Sequence, residues 1–146
     1  MNLSLLDLSG NIITNINCKD IIEVDVLRLS YNRIYSFSCL DIKSESLDLS
    51  SNRLSYFHVN KINNLKYLNI AKNPIKELFL NPIFIDKLVT LNLYQTNIES
   101  LQNEIYNLPK LKYIYSDRLL KNVSKKIKNK NESYNNEFQM LNLFCE

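Results

Sequence analysis

The sequence predicts a solenoid, a stack of short similar coils that share one continuous apolar core. Three observations predict it. LDLSGN at Leu6–Asn11 returns as LRLSYN at Leu27–Asn32 and as LDLSSN at Leu47–Asn52. Around these hexamers a longer template, LxxLxLxxNxL, recurs with its asparagine or threonine anchor at spacings of 21, 20, 21 and 23 residues. Leucines at alternate positions place two side chains on one face of a short strand, and no single copy can bury them unaided. Copies must therefore stack on one another.

Each coil can be read in turn. The first carries Leu3, Leu6, Leu8, Asn11 and Ile13, and the second Val24, Leu27, Leu29, Asn32 and Ile34. In the third, Ser44 replaces the opening apolar residue before Leu47, Leu49, Asn52 and Leu54. The fourth is Leu65, Leu68, Ile70, Asn73 and Ile75. The fifth, Leu88, Leu91, Leu93, Thr96 and Ile98, has threonine for asparagine, and a sixth starts at Leu111 and Ile114 but fails at Ser116. The asparagine is expected to turn inward where the strand ends and to pair backbone groups of adjacent coils that would otherwise be buried unmet.

The second half of each coil is periodic as well. Ile13, Ile16, Cys18 and Ile21 match Ile34, Phe37, Cys39 and Ile42, then Leu54, Phe57, Val59 and Ile62, then Ile75, Leu78, Leu80 and Ile83. This spacing fits an extended or 3₁₀ segment on the outer side. The fifth copy, Ile98, Leu101, Ile105 and Leu108, shifts to a more helical spacing. On this alignment Cys18 and Cys39 are small core hydrophobes in neighbouring coils, with a disulfide sterically conceivable.

The pattern from Leu3 to Tyr115 resembles the leucine-rich repeat family, in particular the short intracellular repeats of phosphatase-regulator-type adaptors. The resemblance implies an α/β solenoid: a curved right-handed superhelix with a concave parallel sheet, mostly extended or 3₁₀ convex segments, and a short C-terminal helix. The sequence beyond the repeats divides the chain into a solenoid at residues 1–118, a basic capping helix at 119–129 and a flexible tail at 130–146. The helix is expected from Leu120, Val123 and Ile127, and the tail ends in the apolar segment FQMLNLF at Phe138–Phe144.

Composition narrows the function. One glycine, Gly10, is too few for phosphate-cradling loops, which need residues tolerant of positive φ. Three cysteines without a CxxC make neither a disulfide framework nor a zinc site. No apolar run approaches the roughly 18 residues of a membrane span, and the N-terminus has no signal-peptide pattern, so a cytoplasmic or nuclear location is expected, with secretion as the alternative if the true start lies upstream. His58, the one histidine, points outward between Phe57 and Val59 with no carboxylate placed beside it by the repeat. No nucleophile and base come together, and no enzyme, cofactor, metal or small-molecule substrate is expected.

Partners are sought on the inner face and at the ends. The strand residues that face the concave side include Arg28 between Asp7 and Asp48, a charge ladder, and then Tyr67, Tyr94, Tyr113 and Tyr115. Tyrosine gives large, rigid, amphipathic contact area, so this half is the expected protein-contact site, with Arg28 and Asp48 at its other end. At the first coil no polar cap is evident. Leu3, Leu5, Leu6, Leu8, Ile13 and Ile16 are expected to present open apolar surface, for a second copy or for Phe138, Leu141 and Phe144 of the tail. A net charge of +3 argues against a broad nucleic-acid face. Lys121, Lys125, Lys126 and Lys128 remain as the basic stretch that could meet an anionic partner such as RNA. The sequence thus predicts a protein-binding scaffold that self-associates, with an adaptor subunit of a protein or ribonucleoprotein complex as the alternative.

Overall fold

The computed structural model describes residues 3–39, 41–59, 61–117 and 120. The expected capping helix and apolar tail, with Lys121, Lys125, Lys126, Lys128, Phe138, Leu141 and Phe144, lie outside them. Coil 1 holds β1 (Leu3–Asp7) and β2 (Asn15–Cys18); coil 2 holds β3 (Ile22–Arg28) and β4 (Ser36–Cys39). Coil 3 holds β5 (Ile42–Lys43), β6 (Ser46–Asp48) and β7 (Tyr56–Val59). Coil 4 holds β8 (Ile62–Asn63), β9 (Tyr67–Asn69) and β10 (Glu77–Leu80), and beyond it come β11 (Thr90–Asn92) and β12 (Tyr113–Tyr115).

These strands stack as a parallel β-solenoid of about five turns. The front ladder runs β1–β3–β6–β9–β11–β12, every pair parallel. Its register joins Leu6, Leu27, Leu47, Leu68, Leu91 and Ile114 in one row, so each coil hands its leucines to the next. The outer side carries two separate pairs, β2 with β4 and β7 with β10. A short ladder of β3, β5 and β8 forms a further wall. Between these walls Leu47, Leu49, Ile34, Leu65, Ile70, Ile75, Leu88 and Leu93 are fully enclosed.

The α/β expectation is corrected here. Among the described residues regular helix is confined to one 3₁₀ turn at Ile105–Asn107, in the coil whose apolar spacing is more helical. Elsewhere the outer segments are strands, because apolar and polar residues alternate along them: Phe57 and Val59 point in, Tyr56 and His58 out. The structure also corrects two core assignments. Ile22, not Ile21, pairs with Ile42, and Ile21 is 56% exposed. Ile85 is buried while Ile83 is 78% exposed. At Ile21 the cause is the strand, where a shift of one residue turns a side chain to the opposite face, and at Ile83 it is the turn at residues 82–84.

The asparagine ladder is present as expected. Asn52 donates its amide to the carbonyls of Leu29, one coil back, and of Leu49, at 2.9 and 3.0 Å. Its carbonyl oxygen accepts the Ile34 N–H at 2.9 Å. Asn32 bonds Leu8 and Ile13 in the same way, and Asn73 bonds Leu49 and Leu54. Thr96, too short to span two coils, gives its hydroxyl to Leu93 of its own coil.

Just before each ladder residue the backbone turns left-handed. Gly10, Tyr31, Ser51, Lys72 and Gln95 have φ of 68°, 54°, 55°, 55° and 54°. This turn aims each N–H along the stack. Gly10, Tyr31, Ser51 and Lys72 donate to Ser30, Ser50, Ala71 and Tyr94 of the following coil. At Gln95 the Asp117 carboxylate takes the place of that carbonyl, at 3.0 Å. The near-absence of glycine therefore does not exclude positive φ in this chain. The packed ladder holds ordinary side chains in a conformation that costs them about 1–2 kcal/mol each.

Candidate interaction surfaces

The first coil is where the core is least covered. β1 pairs with β3 on one side, and no described strand lies on its other side. Leu3 is 50% and Leu5 45% exposed, and Leu6, Leu8, Ile13 and Ile16 are half-buried. The matching residues one coil on, Leu27, Leu29, Ile34 and Phe37, are buried. The structure thus brings the expected end residues together, in two orientations. Leu3, Leu6, Leu8, Ile13 and Ile16 belong to the core rows, whereas Leu5 stands on the front face beside Val26. Among the described residues Asn11 bonds only the Leu8 and Ser9 carbonyls of its own coil, at 3.0 and 3.2 Å, where later ladder residues also reach backward.

On the front face the expected charged group is partly consumed by the fold. Asp7, Arg28, Asp48, Asn69, Asn92 and Tyr115 share one row. Arg28 and Asp7 form an exposed ion pair at 3.6 Å. Four members of the row close the strand end with the same turn. The N–H groups of Ser9, Ser50, Ala71 and Tyr94 donate to Asp7, Asp48, Asn69 and Asn92 at 2.9, 2.9, 3.2 and 3.0 Å. Asp48 is 3% exposed, so its carboxylate serves this turn more than any external partner. The same chemistry gives opposite titration. The Ser9 N–H holds the exposed Asp7 below the ordinary carboxylate range. Burial pushes Asp48 above it, against the bonds from Ser50 and the field of Arg28.

The tyrosines gather at the other end of this face. Tyr67, Thr90 and Tyr113 are in register across β9, β11 and β12, with Asn69, Asn92 and Tyr115 in the next row. Tyr113 and Tyr115 stack at 6.3 Å with planes 17° apart. Tyr94 follows β11, its carbonyl accepting the Lys72 N–H at 2.8 Å. Burial raises the Tyr115 hydroxyl above its ordinary value, reinforced by Tyr113, so the Tyr115 phenol stays a neutral donor at physiological pH.

Two features of the outer side differ from the expectation. A carboxylate does stand near His58: Glu77 lies 3.9 Å from its Nε2, both groups exposed. The parallel register of β7 and β10 sets Glu77 opposite Tyr56 and Phe79 opposite His58, making an exposed aromatic cluster. The outward positions of the outer repeat carried that signal. Second, Cys18 and Cys39, in register on β2 and β4, are joined by a disulfide with Cα atoms 4.5 Å apart.

Among the described residues no cluster of His, Cys, Asp and Glu could hold a metal ion. No described helix is long and apolar enough to cross a membrane. Comparison with known protein families, with characterised proteins and with solved structures finds no match for this chain.

Proposed function

We propose that this chain is a non-enzymatic protein-binding scaffold of the leucine-rich-repeat type, which associates with copies of itself through its first coil. The observation that carries the reading is the contrast between equivalent rows. Leu6, Leu8, Ile13 and Ile16 are half-covered where Leu27, Leu29, Ile34 and Phe37 are buried, and Leu3 and Leu5 stand in solvent. Completing the burial of such side chains gains on the order of 1 kcal/mol each. The open edge of β1 adds unpaired backbone donors and acceptors that another strand can meet. Two identical ends facing each other about a two-fold axis supply both at once.

The experiment is the mass in solution at micromolar concentration, with Leu3→Lys/Leu5→Lys as the comparison because both side chains are exposed in the single chain. The wild type is expected above the monomer mass of 17.2 kDa, and the lysine pair at that mass with an unchanged fold. A wild type that stays monomeric throughout this range refutes self-association.

A second reading has its own observation. The tyrosine rows Tyr67–Thr90–Tyr113 and Asn69–Asn92–Tyr115 offer aromatic area beside neutral donors, the chemistry of a surface that grips another protein. On this reading the chain is an adaptor subunit, with RNA contact left to the lysines after residue 120. Binding that survives Tyr67→Ala/Tyr113→Ala refutes it, and a capture insensitive to salt removes the RNA component.

A further inference from the structure

We propose that the Cys18–Cys39 disulfide is a reversible clasp that fastens the first coil to the stack, so that the redox state decides whether the solenoid's end is closed or frayed.

The argument starts from position. Cys18 and Cys39 end β2 and β4, and the equivalent residues of the next two coils are Val59 and Leu80. Those two are buried and uncrosslinked, so strand pairing and apolar packing hold the deeper coils at this row without a covalent link. Among the described residues coil 1 has a neighbour on one side only. Its core residues are half-buried, its Asn11 reaches no other coil, and its Asp7–Arg28 pair is exposed. Beyond Cys18, Lys19, Asp20 and Ile21 are exposed, so nothing past this point in the coil anchors it until β3 begins. The covalent link therefore lies at the end of the outer strand of the coil with the least non-covalent support.

Access is also right. Cys18 is half-exposed and Cys39 buried, so an incoming thiolate meets the Cys18 sulfur first. A dithiol reductant attacks Cys18 Sγ, forming a mixed disulfide and releasing Cys39 as a thiolate that takes up a proton. Its second thiolate then displaces Cys18, leaving two protein thiols and one oxidised dithiol. Two electrons pass from the dithiol to the protein. Oxidising compartments keep the clasp shut, and reducing ones open it. Opening loosens β1 and β2 and uncovers Val24, Leu27 and Leu29 of coil 2. The effect on assembly rests on the reading that the first coil docks a second copy; the clasp itself does not.

The test is hydrogen exchange followed by mass spectrometry on the full chain carrying Cys145→Ser, with and without a dithiol. A second protein adds Cys18→Val/Cys39→Val, which keeps the apolar packing seen at Val59. Reduction is expected to speed exchange in residues 3–18 by about tenfold or more, leaving residues 61–93 unchanged. The valine pair should exchange fast without reductant and ignore its addition. Two free thiols in protein purified without reductant, or equal exchange in both redox states, overturn the clasp. Solution mass is read on the same samples. Faster exchange at residues 3–18 with an oligomeric mass that falls on reduction supports the clasp and the docking together. Faster exchange in a chain that is monomeric in both states keeps the clasp and refutes the docking.

Discussion

Asn52 offers the sharpest test of the coil-to-coil ladder. It is buried, and its oxygen accepts the Ile34 N–H while its amide bonds Leu29, Leu49 and Ser50 at 2.9, 3.0 and 3.2 Å. Asn52→Ala leaves that N–H unmet inside the stack, which costs roughly 1–3 kcal/mol. The three carbonyls each keep another donor, Asn32, Asn73 and the Tyr31 N–H, so their loss adds only about 1 kcal/mol together. The expected total is about 2–4 kcal/mol. Asn11→Ala, whose bonds stay within its own exposed coil, should cost under about 1 kcal/mol. Thr96→Asn runs the experiment backward. Its amide would reach the Ile70 carbonyl and the Ile75 N–H, equivalent to the Leu49 and Leu54 groups bonded by Asn73, for a gain of about 1 kcal/mol. Urea unfolding followed by far-ultraviolet circular dichroism reads all three from shifts in midpoint at constant slope. Equal losses for Asn11→Ala and Asn52→Ala would refute the ladder.

Four further outcomes are expected. Lys72→Gly should raise stability by about 0.5–1 kcal/mol in the same assay, because it relieves a left-handed residue at φ 55°. Gly10→Ala should lose about 1 kcal/mol from backbone conformation alone, since an added Cβ meets nothing within 4 Å. Asp48→Asn should match or exceed the wild type at pH 7, because Asn69 and Asn92 close the same turn without a buried charge. As pH falls from the raised pKa of Asp48 toward the ordinary carboxylate value, the wild type should gain on this variant, the native state taking up its proton first. A variant that loses more than about 1 kcal/mol at pH 7 would contradict this. Leu68→Ala, in the middle of the front core row, should cost about 2–5 kcal/mol.

The front of the solenoid was legible because its signal is repeated: Leu6, Leu27, Leu47, Leu68 and Leu91 fall in one row when the sequence is aligned on its asparagines. The outer side was less so. At Ile21 and Ile83 spacing alone places isoleucines in the core that the chain turns to solvent. At Ile21 two-residue periodicity inverts with a one-residue slip, and at Ile83 the chain turns at residues 82–84 and buries Ile85 instead. The left-handed turn escaped because its usual marker, glycine, stands at Gly10 alone while Tyr31, Ser51, Lys72 and Gln95 fill the other positions. Asp48 looked like a surface charge by its place in the strand. Its burial depends on coils on both sides, a property of the assembled stack, as the contrast with Asp7 makes plain. His58 and Glu77 become neighbours only once β7 and β10 are set in register.

The most direct measurement of the docking end is hydrogen exchange in β1 as a function of protein concentration. The account predicts that amides of residues 3–7 become slower to exchange as concentration rises through the association range, while those of β6 and β9 stay constant. Exchange in β1 that is fast and independent of concentration would mean that no second copy covers it.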